Sequence, residues 1–197
     1  MKHAVIFCHP RPRSFTASVA EAYRAAAEEL GHDVLLRDLY RMQFDPCLKA
    51  EEIPSKDFRV CDDVADERAL IGDASVFVLI YPLWMNAPPA MMKGYLDRVF
   101  GFGFAYGSEG RSSTPRLKGR KLLSFSSSGA PAQWLRQSGN FAAIHQLYDH
   151  YLADLCGLTP LEHVHFGNIV PGATAEFIQA RLADVRTTVA KHFIVSA

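Results

Sequence analysis

The sequence carries no surplus of either charge: 21 basic residues balance 21 acidic ones along 197 positions. No basic run offers a groove to nucleic acid, and no acidic block marks a disordered tail. No stretch approaches the roughly 18 apolar residues that cross a bilayer. The opening Met1–Cys8 holds an apolar run too short for a secretory leader, so a cytoplasmic protein with no direct membrane insertion is expected. Cysteine is sparse, at positions 8, 47, 61 and 156, and shows no C-x-x-C spacing. Reduced thiols are therefore expected, and no structural zinc. Linkers, low-complexity segments and internal repeats of roughly 20–50 residues are absent as well, which leaves one domain over 1–197.

What is present is an ordinary globular balance, 49% hydrophobic and 21% charged. Strand signals fall at His3–Cys8, Asp33–Leu39, Ser75–Tyr81, Lys121–Ser126 and about 160–166. Helix signals fall at about 16–30, 62–72, 88–100, 141–156 and 173–192. In the first helix Val19, Ala20, Tyr23, Ala26, Ala27 and Leu30 recur at helical spacing until Gly31 stops the run. S-V-F-V-L-I-Y at 75–81 is continuously apolar, as a strand buried on both faces requires. Five strands alternating with five helices imply right-handed crossovers and a parallel sheet between two helical layers, an α/β three-layer sandwich.

Ligands of such sheets bind beyond the carboxyl ends of the strands. Three loops there have unusual composition. The first, H-P-R-P-R-S-F-T-A-S, gathers the hydroxyls of Ser14, Thr16 and Ser18 at a helix N-terminus, with His9, Arg11 and Arg13 adding positive charge. That suits a phosphate, although Ser14 or Thr16 could be there only to cap the helix. No G-x-G-x-x-G or Walker pattern accompanies it. The second, Y-P-L-W-M-N-A-P-P-A, is stiffened by proline and exposes Trp84 and Met85, which suits the face of a flat heteroaromatic ring, or else packing inside or at a dimer interface. The third, S-S-S-G-A-P, offers small residues and hydroxyl donors, as either a polar tether or a surface turn. No G-x-S-x-G occurs and no His–Asp pair is expected behind a serine, which disfavours a nucleophilic hydrolase. His163 and His165 share a strand face but lack a third ligand, so no metal site is expected.

These three loops, in this order, resemble those of the flavodoxin-fold NAD(P)H:quinone oxidoreductases, the DT-diaphorase-like group. The most specific stretch is Tyr81–Tyr106, with the pattern P-L-x-x-x-x-x-P-A-x-x-K-G-[WY]-x-[DE]-R-V-F…F-A-Y. The opening H-x-x-x-x-S-F-[NT] and D-L-Y-x-M-x-F-[DN]-P at 38–46 agree with it. The resemblance implies a flavodoxin-like fold with strand order 2-1-3-4-5, a flavin (FAD or FMN), and ping-pong hydride transfer from NAD(P)H to a quinone-type acceptor. It implies that His9, Ser14, Phe15, Thr16 and Ser18 hold the flavin phosphate and ribityl chain. Pro82, Leu83, Trp84, Met85 and Asn86 line the ring edge, and Ser126, Ser127, Ser128 and Gly129 bind its opposite side. A homodimer with sites at the interface would let Phe104 and Tyr106 cover acceptor and nicotinamide, and Asp97 touch the adenine part of an FAD. The family's third-loop Tyr and His fall at Trp134 and Asn140 here, so the catalytic positions are Tyr106, Trp134 and Asn140. A second family tyrosine, two residues past Tyr106, is Ser108. The resemblance also admits an alternative, a cytoplasmic flavin-binding regulatory subunit of a potassium-efflux system.

Overall fold

A computed structural model describes residues 1–109 and 112–194. Five parallel strands form the sheet: β1 Lys2–Phe7, β2 Asp33–Asp38, β3 Val76–Pro82, β6 Lys121–Ser127 and β7 Thr159–Phe166. The two missing numbers belong to a small antiparallel hairpin, β4 Tyr106–Glu109 and β5 Ser112–Pro115, which stands outside the sheet. The sheet order is therefore 2-1-3-6-7 and not the expected 2-1-3-4-5. Y-G-S-E and S-S-T-P contain no apolar alternation, so nothing in their composition announced two strands.

Alternate residues of each strand point to opposite faces, and both faces are buried. In β1, Ala4 and Ile6 join one core while Val5 and Phe7 join the other. The second core is closed by α1 Phe15–Glu29 and α7 Ala175–Phe193, through Val19, Tyr23, Val185 and Val189. The first is closed by α2 Asp62–Ile71, α3 Ala90–Arg98 and α6 Tyr151–Cys156, through Val64, Met92, Tyr95 and Cys156. Central β3 is buried along its whole length, as its apolar run demanded.

Two helices differ from expectation. Pro88 and Pro89 lie ahead of α3 rather than in its first turn, with Pro89 as the extended N-cap residue. The helix expected at 141–156 is interrupted: α5 Asn140–His145 leads into a π turn at Gln146–His150 before α6. Gly157 then ends it in the left-handed region, at φ +79°. A further short helix, α4 Ala132–Gln137, occupies the middle of the third loop.

The irregular crossing between β2 and α2 has no ladder of its own and is held by one guanidinium. Arg98, at the end of α3, has a side chain 1% exposed. It donates to Glu52 from Nε and Nη2, both at 2.9 Å, to Asp63 from Nη1 at 2.7 Å, and to the Asp45 carbonyl at 2.6 Å. Close packing supplements the charge: a Cβ on Gly94 would lie 2.1 Å from the Pro46 carbonyl oxygen. Hydrogen bonds from Arg98 hold the Asp63 carboxyl below its ordinary range. Burial pushes Glu52 up, but Arg98 and the Lys49 N–H outweigh it and the net direction is down.

Replacing Arg98 by Ala leaves Glu52 buried and unpaired, and should cost about 3–5 kcal/mol in urea unfolding. Because both carboxylates are depressed in the folded state, their contribution is complete above about pH 5 and is lost as pH falls through the lowered folded values. An acid titration of unfolding should show the wild type losing stability there and the Arg98→Ala chain losing less.

Candidate functional site

The carboxyl ends of β1, β3, β6 and β7 deliver four loops to one edge of the sheet. Between them lies a cavity of about 580 Å³. The first loop supplies His9, Arg11, Arg13, Ser14, Phe15 and Thr16; β3 and its loop supply Pro82, Leu83 and Trp84; β6 and its loop supply Ser127, Ser128 and Gly129. An adjoining hollow of about 440 Å³ shares Leu83, Ser128 and Gly129, and adds Met85, Asn86, Trp134 and Asn140. Fourteen of the sequence-selected residues thus converge on two connected spaces.

The others stand elsewhere. Ser18 lies a turn into α1, where its hydroxyl donates to the Ser14 carbonyl at 3.2 Å. Asp97 and Tyr106 face a separate groove of about 180 Å³ with Lys93, Leu147 and Tyr151. Phe104 packs against the core, with the Arg68 guanidinium 5.7 Å over its ring. Ser126 lies within β6 and is 2% exposed, so its side chain does not reach the cavity.

The α1 end of the cavity gathers positive character. Ser14 does cap the helix, its Oγ accepting from the Ala17 N–H at 3.2 Å. The remaining first-turn N–H groups have no partner within the helix. No acidic residue occupies that turn, and Arg11 and Arg13 flank it. Nδ1 of His9 accepts from the Arg11 N–H at 3.1 Å. Partial burial lowers the His9 pKa, so near neutral pH its other nitrogen carries the proton and can donate.

The opposite end is a tight turn. Trp84 and Ala87 exchange both backbone hydrogen bonds, at 3.0 and 3.1 Å, around Met85 and Asn86. Both central residues are left-handed, with φ of 50° and 57°. Asn tolerates that conformation, but for Met it is strain. The side chain of Met85 is 99% exposed, so no packing compensates. Asn86 Nδ2 reaches the Asn140 carbonyl at 3.5 Å, joining the second and third loops.

Behind the cavity runs a buried polar chain. Ser128 Oγ lies 3.0 Å from His165 Nε2; Ser126 Oγ lies 2.8 Å from His165 Nδ1 and 2.7 Å from His163 Nε2. Nδ1 of His163 lies 2.6 Å from Asp149, whose other oxygen accepts from Ser124 at 2.6 Å. A His–Asp pair does therefore stand behind a serine, contrary to expectation. The two histidines share one face of β7, as their spacing required, and both imidazoles are engaged by serine hydroxyls.

Sequence reasoning missed the fourth wall, Ile169, Val170, Pro171 and Gly172 between β7 and α7. Its signal was positional: the rule that selected the other loops applies equally to the end of β7. A Cβ on Gly167 would fall 2.3 Å from the Ala132 nitrogen, so a glycine there lets the third and fourth loops touch.

Comparison with known proteins agrees with this fold. The family described as a flavodoxin-like fold matches residues 1–189. An uncharacterized NAD(P)H oxidoreductase of Haemophilus influenzae is 34% identical over 171 residues, covering 86% of this chain and 85% of that one. A ribosyldihydronicotinamide dehydrogenase [quinone] of Mus musculus is 28% identical over 191 residues, covering 84% of this chain and 81% of its own. The solved NAD(P)H:quinone oxidoreductase from Methanothermobacter marburgensis superposes with a TM-score of 0.87 at 28% identity, covering 99% of each chain.

If the turn at Met85 and Asn86 is held under strain, Met85→Gly should stabilise the protein by about 0.5–1 kcal/mol, the relief of a left-handed Met less the added freedom of the unfolded chain. A lowered midpoint in urea would show instead that the exposed side chain contributes to stability.

Proposed function

Since the chain belongs to the flavodoxin-fold NAD(P)H:quinone oxidoreductase family, we propose that the cavity at its strand ends holds a flavin and passes a hydride from NAD(P)H to a quinone-type acceptor. The observation that carries this is the joining of an anion-ready helix end and an aromatic turn within one cavity of about 580 Å³. The residues present fit the group. Ser14, Phe15, Thr16 and the adjacent arginines would take its phosphate. Leu83 and Trp84 would lie along the ring, with the N–H groups of Met85 and Asn86 and the Ser127–Gly129 segment serving its polar edges. The flavin supplies a ring that accepts two electrons from the nicotinamide and yields them to the acceptor in a second, separate encounter.

The protein's share is orientation, exclusion of water and preorganised donors. Ser128 and Gly129 border both spaces, and Trp134 and Asn140 border the hollow where donor and acceptor would alternate. Phe104, Tyr106 and Asp97 are remote from this hollow within one protomer. A homodimer that set one protomer's groove against its partner's cavity would reunite them, and the exposed Leu147 and Tyr151 at that groove give such an interface apolar surface. Residues 1–197 act here as one flavin-binding domain. Among the described residues no helix is long and apolar enough to cross a membrane. All four cysteines are free thiols, which suits a cytoplasmic setting. Ser126 is too deeply buried to attack a substrate, so its His–Asp neighbours do not revive a hydrolase. No observation favours the potassium-efflux alternative.

Freshly purified protein should show flavin absorption bands that bleach when NADPH is added without oxygen, and chromatography of the released flavin will separate FAD from FMN. Protein that stays colourless after incubation with either flavin would overturn the reading. Trp84→Ala should weaken flavin binding about tenfold or more, measured by fluorescence titration of the apoprotein.

A further inference from the structure

The buried chain behind the cavity has a polarity that the proposed function leaves unused. Its five members are Ser128, His165, Ser126, His163 and Asp149, each within hydrogen-bond distance of the next, from 2.6 to 3.0 Å. Ser128 borders the cavity, whereas Ser126 and Asp149 are 2% and 3% exposed and the His163 side chain is wholly buried. The Phe141 ring covers the two imidazoles from one side, 5.1 Å from His163 and 5.7 Å from His165 between ring centres.

Each hydroxyl owns one proton, so the hydrogen bonds must all point the same way. With neutral imidazoles, Ser128 donates to His165 Nε2, His165 Nδ1 donates to Ser126, Ser126 donates to His163 Nε2, and His163 Nδ1 donates to the Asp149 carboxylate. Adding one proton reverses every link as far as His163. His163 Nε2 then donates to Ser126, Ser126 to His165 Nδ1, and His165 Nε2 to Ser128. Ser128 in turn is free to donate to the Ala130 carbonyl, which lies 3.0 Å away. The extra charge sits on His163, against Asp149. Burial, the neighbouring His163 and Arg136 push the His165 pKa down to about 4, so His165 passes a proton on rather than keeping it.

The inner end lies near two further histidines. Nε2 of His145 lies 4.0 Å from the Asp149 carboxylate, and its side chain is 37% exposed. His150 stands edge-on to that ring at 4.5 Å, and burial lowers the His145 pKa. Tyr81 also faces His163, at 6.1 Å between rings, with a buried hydroxyl that has no partner among the described residues.

We propose that Ser128, His165, Ser126, His163 and Asp149 form a proton relay that stores one proton behind the cavity and returns it there. The inference rests on the oxidoreductase reading and assigns it a proton source. Reduction of a quinone by NAD(P)H consumes one proton from water: NAD(P)H + H⁺ + Q gives NAD(P)⁺ + QH₂. The hydride carries the electron pair from the C4–H bond of the nicotinamide. As that negative charge enters the cavity, a proton from solvent at the cavity mouth enters at Ser128: Ser128 gives its hydroxyl proton to His165 Nε2, the Nδ1–H of His165 passes to Ser126, and Ser126 protonates His163 Nε2. When the acceptor takes the electrons, the links reverse: the Nε2–H bond of His163 breaks and an O–H bond forms on the quinone. A cavity filled by ligand could thus receive its proton without admitting water.

The test is nitrogen NMR of the flavin-loaded protein with labelled histidine, oxidised and then reduced by NADPH without oxygen. In the oxidised form His163 and His165 should both be neutral and protonated at Nδ1. On reduction His163 should become doubly protonated and His165 should switch to Nε2–H, a change that a merely structural network would not make. Ser126→Ala keeps both imidazoles and Asp149 but cuts the link. It should abolish the His165 switch and slow acceptor reduction about tenfold or more, with flavin reduction by NADPH within twofold, and Ser126→Thr should restore both. Histidine signals that stay fixed while the flavin bleaches would overturn the relay and leave the oxidoreductase standing. Failure to take up flavin at all would overturn the oxidoreductase and the relay with it.

Discussion

Every strand of the main sheet runs in one direction and the sheet carries helices on both faces, and the rest of the molecule follows from that constraint. Parallel strands need a crossover after each, so helices cover both faces and the chain returns to the same sheet edge after every strand; four of those strand ends wall the cavity. A cavity at that edge needs no dedicated scaffold, because its walls are the places where strands stop being strands. Their precision comes from the ladder below: β1, β3, β6 and β7 hold one another in register up to their last residues.

That constraint explains which features could be read in advance. A strand buried on both faces has almost no choice but a run such as V-F-V-L-I-Y, and a helix packed by one stripe must repeat its apolar residues as α1 does. The loops were legible because their position after a strand gave odd composition a meaning. The hairpin was not, because Tyr106–Glu109 pairs with Ser112–Pro115 mostly through its backbone and leaves no pattern in the side chains. Arg98 was equally opaque: R-V-F reads as a helix end, and only the folded chain shows three acidic segments turned toward it.

The polar chain lies between these cases. Serines at 124 and 126 and histidines at 163 and 165 alternate along two strands, and the parallel register sets Ser124 beside His163 and Ser126 beside His165. One face of two buried strands is therefore polar at matching heights, and that much is written in the sequence. Asp149 is not, because it comes from another layer. Its meeting with His163 depends on how the helix between β6 and β7 is wound.

That winding gives the π turn at Gln146–His150 its importance. A wide turn is the mark of one residue more than an α-helix needs, and each residue advances a helix by about 100°. Ile144 before the turn and Leu152 and Ala153 after it all face the protein interior. They can do so together with Asp149 only because the extra residue absorbs the mismatch. The length of this segment is therefore locked: losing a single residue between 146 and 150 would swing one half of the helix by more than a quarter turn and force a choice between sealing the core and seating the acid. Substitutions along the segment are local events, whereas a one-residue deletion would rewire the molecule's interior.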